Sequence, residues 1–130
     1  MKKFKDVFVV DDDKVYHFIL KKLFIKNNLN ISPSFYLNGL EAIEVIKSKI
    51  NSGTNLPDLI LLDINMPIMD GWQFLDEFKK NDKCTTEKTT IYLVSSSDSV
   101  SDLNKAKEYQ DQIKDYFFKP MTAEDLFKIF

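Results

Sequence analysis

The sequence predicts an α/β protein: a doubly wound, five-stranded parallel sheet with helices on both faces. Three observations predict it. Short runs that are apolar throughout recur along the chain, and such runs suit strands buried on both faces. Each is followed by a longer amphipathic stretch, the order that calls for helical, right-handed crossovers. At 130 residues the chain is one domain's worth, and it carries no internal repeat, low-complexity stretch or linker.

Val7-Phe8-Val9-Val10 is the first strand, rich in β-branched residues. Tyr16, Ile19, Leu20 and Leu23 then recur at i, i+3, i+4 and i+7, the stripe of a helix facing a core. Ile31 to Tyr36 is the second strand, at an edge because Pro33 lacks an amide donor. Asn38-Gly39 turns the chain into a second helix marked by Ala42, Ile43, Val45, Ile46 and Ile50, and residues 51–55 form a polar loop. Leu59-Ile60-Leu61-Leu62 is the third strand. A loop from Asn65 to Gly71 leads to a helix bearing Trp72, Leu75 and Phe78. Ile91-Tyr92-Leu93-Val94 is the fourth strand, left through Ser95-Ser96-Ser97, and Val100, Leu103 and Ala106 mark a weaker helix. Tyr116-Phe117-Phe118 is the last strand. Thr122 with Asp125 three residues on resembles a capping box, opening a short helix with Ala123, Leu126, Phe127 and Phe130.

Composition excludes several classes. The chain is 44% hydrophobic and 29% charged, which fits a globular protein and not a disordered one. Eighteen basic residues against twenty acidic ones leave no surplus to hold nucleic acid or an anionic membrane by charge alone. One cysteine, Cys84, and one histidine cannot make a disulfide or a structural zinc site. The start Met1-Lys2-Lys3 is basic like a signal peptide, but Asp11-Asp12-Asp13 cuts the apolar run too short for export, so a cytoplasmic protein is expected.

In open α/β sheets the ligand site lies beyond the carboxyl ends of the strands. Asp11, Asp12 and Asp13 follow the first strand, Asp63 the third, Ser95 the fourth and Lys119-Pro120 the fifth. Carboxylates gathered on one rim raise one another's pKa or demand a cation. Oxygen ligands without imidazole or thiolate favour a hard ion, Mg2+ before zinc, and an acidic pocket with a lysine suits a phosphoryl group. Singly, each residue also has a plainer reading. Asp13 and Asp70 suit helix N-caps, a serine run after a strand commonly caps a helix, and Lys-Pro commonly makes a turn.

The chain resembles the response-regulator receiver domains of two-component signalling over nearly its whole length, from Phe8 to Phe130. The resemblance rests on Val9-Val10-Asp11-Asp12-Asp13, on the run from Pro57-Asp58 through Asp63-Ile64-Asn65-Met66-Pro67 to Asp70-Gly71, on Ser95, and on Tyr116-Phe117-Phe118-Lys119-Pro120. It implies a flavodoxin-like strand order 2-1-3-4-5. It implies Asp63 as phosphoacceptor, and a Mg2+ site made by Asp11, Asp12, Asp63 and the backbone carbonyl of Asn65. Ser95 and Lys119 would contact the phosphoryl group, Asn65 and Ser97 would tune its lifetime, and the bond before Pro120 would be cis. Tyr116 would be the aromatic that turns inward in the switched state; it also reads simply as a core aromatic. The implied partners are a histidine kinase or phosphotransfer protein as donor, and a downstream protein on the face of the fourth helix, fifth strand and fifth helix. No nucleic acid or membrane partner is expected.

Two features depart from the family pattern: serine stands where threonine is common, at Ser95, and residues 109–114 replace the usual Gly-Ala pair before the fifth strand. His17 is expected to be exposed or partly packed, Trp72 and the eleven phenylalanines to be core and helix-packing residues, and Cys84 to lack an activating basic neighbour. A phosphatase with an aspartate nucleophile would need a second aspartate where Asn65 stands. An FMN binder would need a phosphate loop where three aspartates stand, and a phosphate-independent scaffold would not need the full acidic and lysine set. The expectation is a signalling switch and not an enzyme, in one domain spanning 1–130 that acts alone by docking.

Overall fold

The computed structural model describes residues 4–130, with the side chain of Ser32 excepted; the basic start at Met1-Lys2-Lys3 lies outside the described residues. The elements run β1 (Asp6–Val10), α1 (Lys14–Lys26), β2 (Ser32–Tyr36), α2 (Gly39–Ser52), β3 (Leu59–Leu62), α3 (Gly71–Lys79), β4 (Thr90–Ser95), α4 (Val100–Glu108), β5 (Asp115–Phe118) and α5 (Ala123–Ile129). All strands are parallel, in the order β2-β1-β3-β4-β5. Pro33 lies in the edge strand β2, where its missing amide costs the ladder least.

Two apolar clusters explain why the central strands read as unbroken apolar runs. Phe8, Val10, Ile60, Leu62, Ile91 and Leu93 point to one face and pack on α2, α3 and Ala106 of α4. Val7, Val9, Leu59, Leu61, Tyr92 and Val94 point to the other and pack on α1, Met121 and α5. Successive side chains alternate across a strand, so only a sheet covered on both faces needs both sets apolar.

Helix ends follow local chemistry. Asp13, Asn38, Asp70, Ser99 and Thr122 cap the five helices, and the Thr122–Asp125 and Asp70–Gln73 pairs form reciprocal capping boxes. The plainer reading of Asp13 and Asp70 as caps therefore holds. α2 runs two residues into the stretch expected to be a loop, and Gly53 ends it in a left-handed conformation, φ 72°.

Several expectations about burial need correction. α1 sits with Tyr16, Leu20 and Phe24 on the sheet, an i, i+4 row, which leaves Ile19 52% exposed. The same rotation buries His17, whose ring stacks on Phe35 of β2 at 4.8 Å, so the histidine is neither exposed nor only partly packed. Phe18, Phe118 and Phe127 are exposed and not core residues. Phe118 is exposed because β5 is an edge strand, covered less fully than the centre of the sheet. Val100 is exposed, and Ala106 is the buried residue of α4. Trp72 is buried as expected.

Residues 109–114, which replace the Gly-Ala pair, close the α4–β5 connection against α3. Tyr109 stacks on Trp72 at 5.2 Å and its hydroxyl donates to Asp76 at 2.9 Å. The Gln112 side-chain amide donates to the Leu75 carbonyl at 2.9 Å. Polar side chains thus do here what a short turn would do elsewhere.

Ile68, in the β3–α3 loop, has φ 71° and is 75% exposed. A β-branched residue in the left-handed region is strained by about 1–2 kcal/mol, and little burial offsets it. Ile68→Gly is expected to raise the unfolding free energy by about 0.5–1 kcal/mol, relief of strain exceeding the added chain entropy. Urea denaturation with an unchanged slope checks it.

Candidate cation and phosphoryl site

The carboxyl edge of the sheet gathers the expected residues. The Asp11 amide continues the β1 ladder by donating to Tyr36 at 2.9 Å, and the Asp63 amide donates to Val10 at 2.9 Å. Adjacent parallel strands β1 and β3 therefore release their chains side by side, and both aspartates are buried. Asp12 is exposed at the lip. One carboxylate oxygen from each of Asp11, Asp12 and Asp63 lies within 4.8 Å of the other two. Among the described residues this is the group of carboxylates placed to share a cation.

The two buried carboxylates, Asp11 and Asp63, are each held from more than one side. Asp11 Oδ1 accepts the Asp13 amide at 2.9 Å, while Oδ2 pairs with Lys119 Nζ at 2.5 Å. Asp63 Oδ1 accepts the Ile64 amide at 2.8 Å, and its Oδ2 stands 3.4 Å from Lys119 Nζ. β5 delivers that lysine: the Lys119 amide donates to the Ser95 carbonyl at 3.0 Å, and the Lys119–Pro120 bond is cis. The loop carrying Asp63 is closed by Gly71, whose amide donates to Ile64 at 2.8 Å.

Ser95 is fully buried at the end of β4 and accepts the Ser97 amide at 3.2 Å. Ser97 Oγ donates to Asp102 of α4 at 2.5 Å, and its carbonyl accepts the Tyr116 hydroxyl at 2.7 Å. Tyr116 is half-buried and packs against the α2–α3 cluster. Asn65 is exposed two residues beyond Asp63. The sequence reading missed three residues of this region. Asp102 was not singled out, Tyr16 was read as a core-facing helix residue alone, and Gly71 gave no hint of its crowding. Only Asp102 had a signal, an acidic residue three beyond the capping Ser99.

The electrostatics follow from this crowding. Burial raises the Asp63 pKa from 3.8 to about 6, with the neighbouring charge of Asp11 adding to it and Lys119 opposing. Burial pulls Lys119 down, but its hydrogen bond to Asp11 and the charge of Asp63 outweigh that and hold it above the ordinary lysine value. A stability consequence follows. Below pH 3.8 Asp63 is neutral folded or unfolded; between 3.8 and about 6 the unfolded chain ionises it freely and the native state does not. Metal-free protein is therefore penalised as pH rises through that window, by about 2–3 kcal/mol once above it. Chelator-treated Asp63→Asn is expected to out-melt the wild type at pH 8 and to lose that margin near pH 4, read by thermal denaturation.

A doubly wound α/β domain whose strand ends bring together three carboxylates, a serine and a lysine defines a class of protein with an acidic pocket at the carboxyl edge of a parallel sheet. The family model for the response regulator receiver domain matches residues 7–130. The chain is 30% identical over 120 residues to the sensor histidine kinase CheAY of Helicobacter pylori, covering 92% of this chain but 14% of that protein. It is 24% identical to the probable methanogenesis regulatory protein FilR2 of Methanothrix harundinacea, across 92% of this chain and 75% of the relative. A two-component response regulator from Cytophaga hutchinsonii superposes with a TM-score of 0.84 at 29% identity, covering 98% and 95% of the two chains. The chain belongs to the response regulator receiver domains of two-component signalling. Domains of this family are generally signalling switches rather than enzymes. No described helix is long and apolar enough to cross a membrane.

Proposed function

We propose that the protein is a phosphorylation-dependent switch, in which Asp63 takes a phosphoryl group from the histidine of a partner kinase or phosphotransfer protein. The observation that carries this reading is the placement of the Asp63 carboxylate in one cup with Asp11 and Asp12, 3.4 Å from a lysine ammonium. The donor set fits Mg2+: three carboxylates with no imidazole or thiolate among them, beside the exposed Asn65 whose backbone carbonyl would complete the ligands. Such a cation, when bound, supplies charge neutralisation for the transferring group.

The chain's own residues would do the rest. An Asp63 oxygen forms the new bond to phosphorus as the donor nitrogen leaves, giving an acyl phosphate. Lys119 neutralises the anion, a role suited to a compact point charge. Ser95 donates its hydroxyl to the phosphoryl oxygens, and the shift of Oγ toward them would draw it away from the Ser97 amide whose hydrogen bond it accepts. Ser97 is bonded to both Tyr116 and Asp102, so its movement reaches β5 and α4 together. The α4–β5–α5 face, with exposed Val100, Phe118 and Phe127, would then present itself to a downstream partner. Asn65, two residues beyond the acceptor Asp63, and Ser97, two beyond Ser95, would set how long the phosphoryl group survives. The action is proposed to be that of one domain in the cytoplasm.

The test is intact-mass measurement after incubation with acetyl phosphate and Mg2+, with the modified peptide mapped to Asp63. Lys119→Ala is expected to accept the phosphoryl group roughly tenfold more slowly, and to leave α4 and β5 unchanged by it in hydrogen exchange. A Lys119→Ala protein whose exchange pattern switches like the wild type's would show that the lysine does not couple the two.

A further inference from the structure

One buried polar group beside the acidic cup has no task in the scheme above. Tyr16 of α1 is 8% exposed, and its hydroxyl is buried without a hydrogen-bond partner. An orphaned hydroxyl disfavours the fold, so the useful part of this side chain is its ring. That ring lies against the site: Lys119 Nζ is 4.7 Å from its centroid. A cation within about 6 Å of an aromatic face is attracted by the ring quadrupole, more strongly when both are removed from water. The Lys119 side chain is itself only 16% exposed.

We propose that Tyr16 is a positioning residue for phosphoryl uptake at Asp63: its ring face holds the Lys119 ammonium over the acidic cup. The proposal rests on Asp63 being the acceptor. Lysine carries its charge on a flexible four-carbon stem, so something must restrain the ammonium. Its shortest contact is with Asp11, at 2.5 Å. Asp11 and Asp63 both belong to the three carboxylates placed to share a cation, so a bound cation would compete with the lysine for both of its ion pairs. The contact such a cation leaves untouched is the ring of Tyr16. An aromatic face is not a ligand for a hard cation and keeps its hold throughout.

The ring is well placed to act as a fixed surface. The Tyr16 amide donates to the capping Asp13 carboxylate at 3.1 Å, which ties the residue to the start of α1. Its side chain packs in one cluster with Leu20, Met121 and Leu126. Met121 follows Pro120, so the cluster that steadies the ring also anchors the backbone just beyond Lys119.

The experiment uses the full chain with Tyr16→Phe and Tyr16→Leu, and Tyr16→Met as a second non-aromatic variant if the leucine protein does not fold. In metal-free, unphosphorylated protein, the Lys119 ε-methylene NMR signals should sit upfield from the ring current. That displacement should persist in Tyr16→Phe and vanish in the non-aromatic variant. With acetyl phosphate and Mg2+, Tyr16→Phe should match the wild-type rate of adduct formation. The non-aromatic variant should be roughly three- to tenfold slower, with unchanged Mg2+ affinity and a retained cooperative melt. A non-aromatic variant that reacts as fast as the wild type overturns the proposal. So does Tyr16→Phe slowing as much as the non-aromatic variant, since the hydroxyl would then be responsible. A wild type that takes up no phosphoryl group defeats the reading of Asp63 and this proposal with it; variants that match a reactive wild type defeat this proposal alone.

Discussion

Asp63→Asn is expected to acquire no phosphoryl mass from acetyl phosphate and Mg2+ under conditions that modify the wild type fully. The change is nearly isosteric, and the amide oxygen can still accept the Ile64 amide that holds Asp63 Oδ1. What is lost is the anionic nucleophile, because a neutral amide oxygen attacks phosphorus far more slowly than a carboxylate. The other carboxylates do not substitute easily. Asp11 is pinned by the Asp13 amide and by Lys119, and Asp12 lies exposed at the lip. Uptake should fall on the order of a hundredfold or more, as when a group acting only in the transition state is removed. Unfolding cannot account for that loss, since the variant should be the more stable protein above pH 6 without metal, where the wild type bears an ionised Asp63. An adduct appearing in the variant at the wild-type rate would place the acceptor elsewhere.

Gly71→Ala should be the most damaging small substitution near the site. A Cβ there would stand 2.4 Å from the Asp63 carbonyl oxygen, 3.0 Å from the Ile64 Cα and 3.2 Å from the Asp63 carbonyl carbon. All three are backbone atoms, so no side-chain rotation relieves the clash. The loop itself must move, and with it the Gly71–Ile64 hydrogen bond and the direction in which Asp63 leaves β3. The expected cost is about 3 kcal/mol, at the upper end of overpacking penalties, or about 10 °C in Tm for a chain of this size. The folded fraction should also bind Mg2+ more weakly, because two of its carboxylates would no longer face one another. Calorimetry and metal titration read the two effects separately. A variant with wild-type Tm and wild-type metal affinity would show that the approach of α3 to Asp63 is not a constraint on the site.

The pattern of apolar runs was enough to read the architecture. Val7–Val10 and Leu59–Leu62 suit strands covered on both faces, and five βα alternations leave few ways to wind a parallel sheet. The common direction of the strands puts Asp11, Asp12, Asp63, Ser95 and Lys119 on one rim, while the adjacency of β1 and β3 that brings Asp11 to Asp63 was implied by the resemblance to receiver domains. Helix caps were legible because they depend on residues three apart along the chain, as at Thr122 and Asp125.

What the chain's own order did not show depends on how the helices are turned and on who meets whom across the sheet. The rotation of α1 that buries His17 and exposes Ile19 is set by contact with Phe35 of β2, far away in sequence. The exposure of Phe118 follows from β5 being an edge, which its apolar composition conceals. The crowding at Gly71, the ring of Tyr16 beneath Lys119 and the bond from Ser97 to Asp102 are likewise meetings between elements. Periodicity along a polymer reports which face a residue is suited to, because burial is a property of its own side chain. It cannot report the partner on that face, because that partner is fixed by packing distances that exist only once the layers have closed.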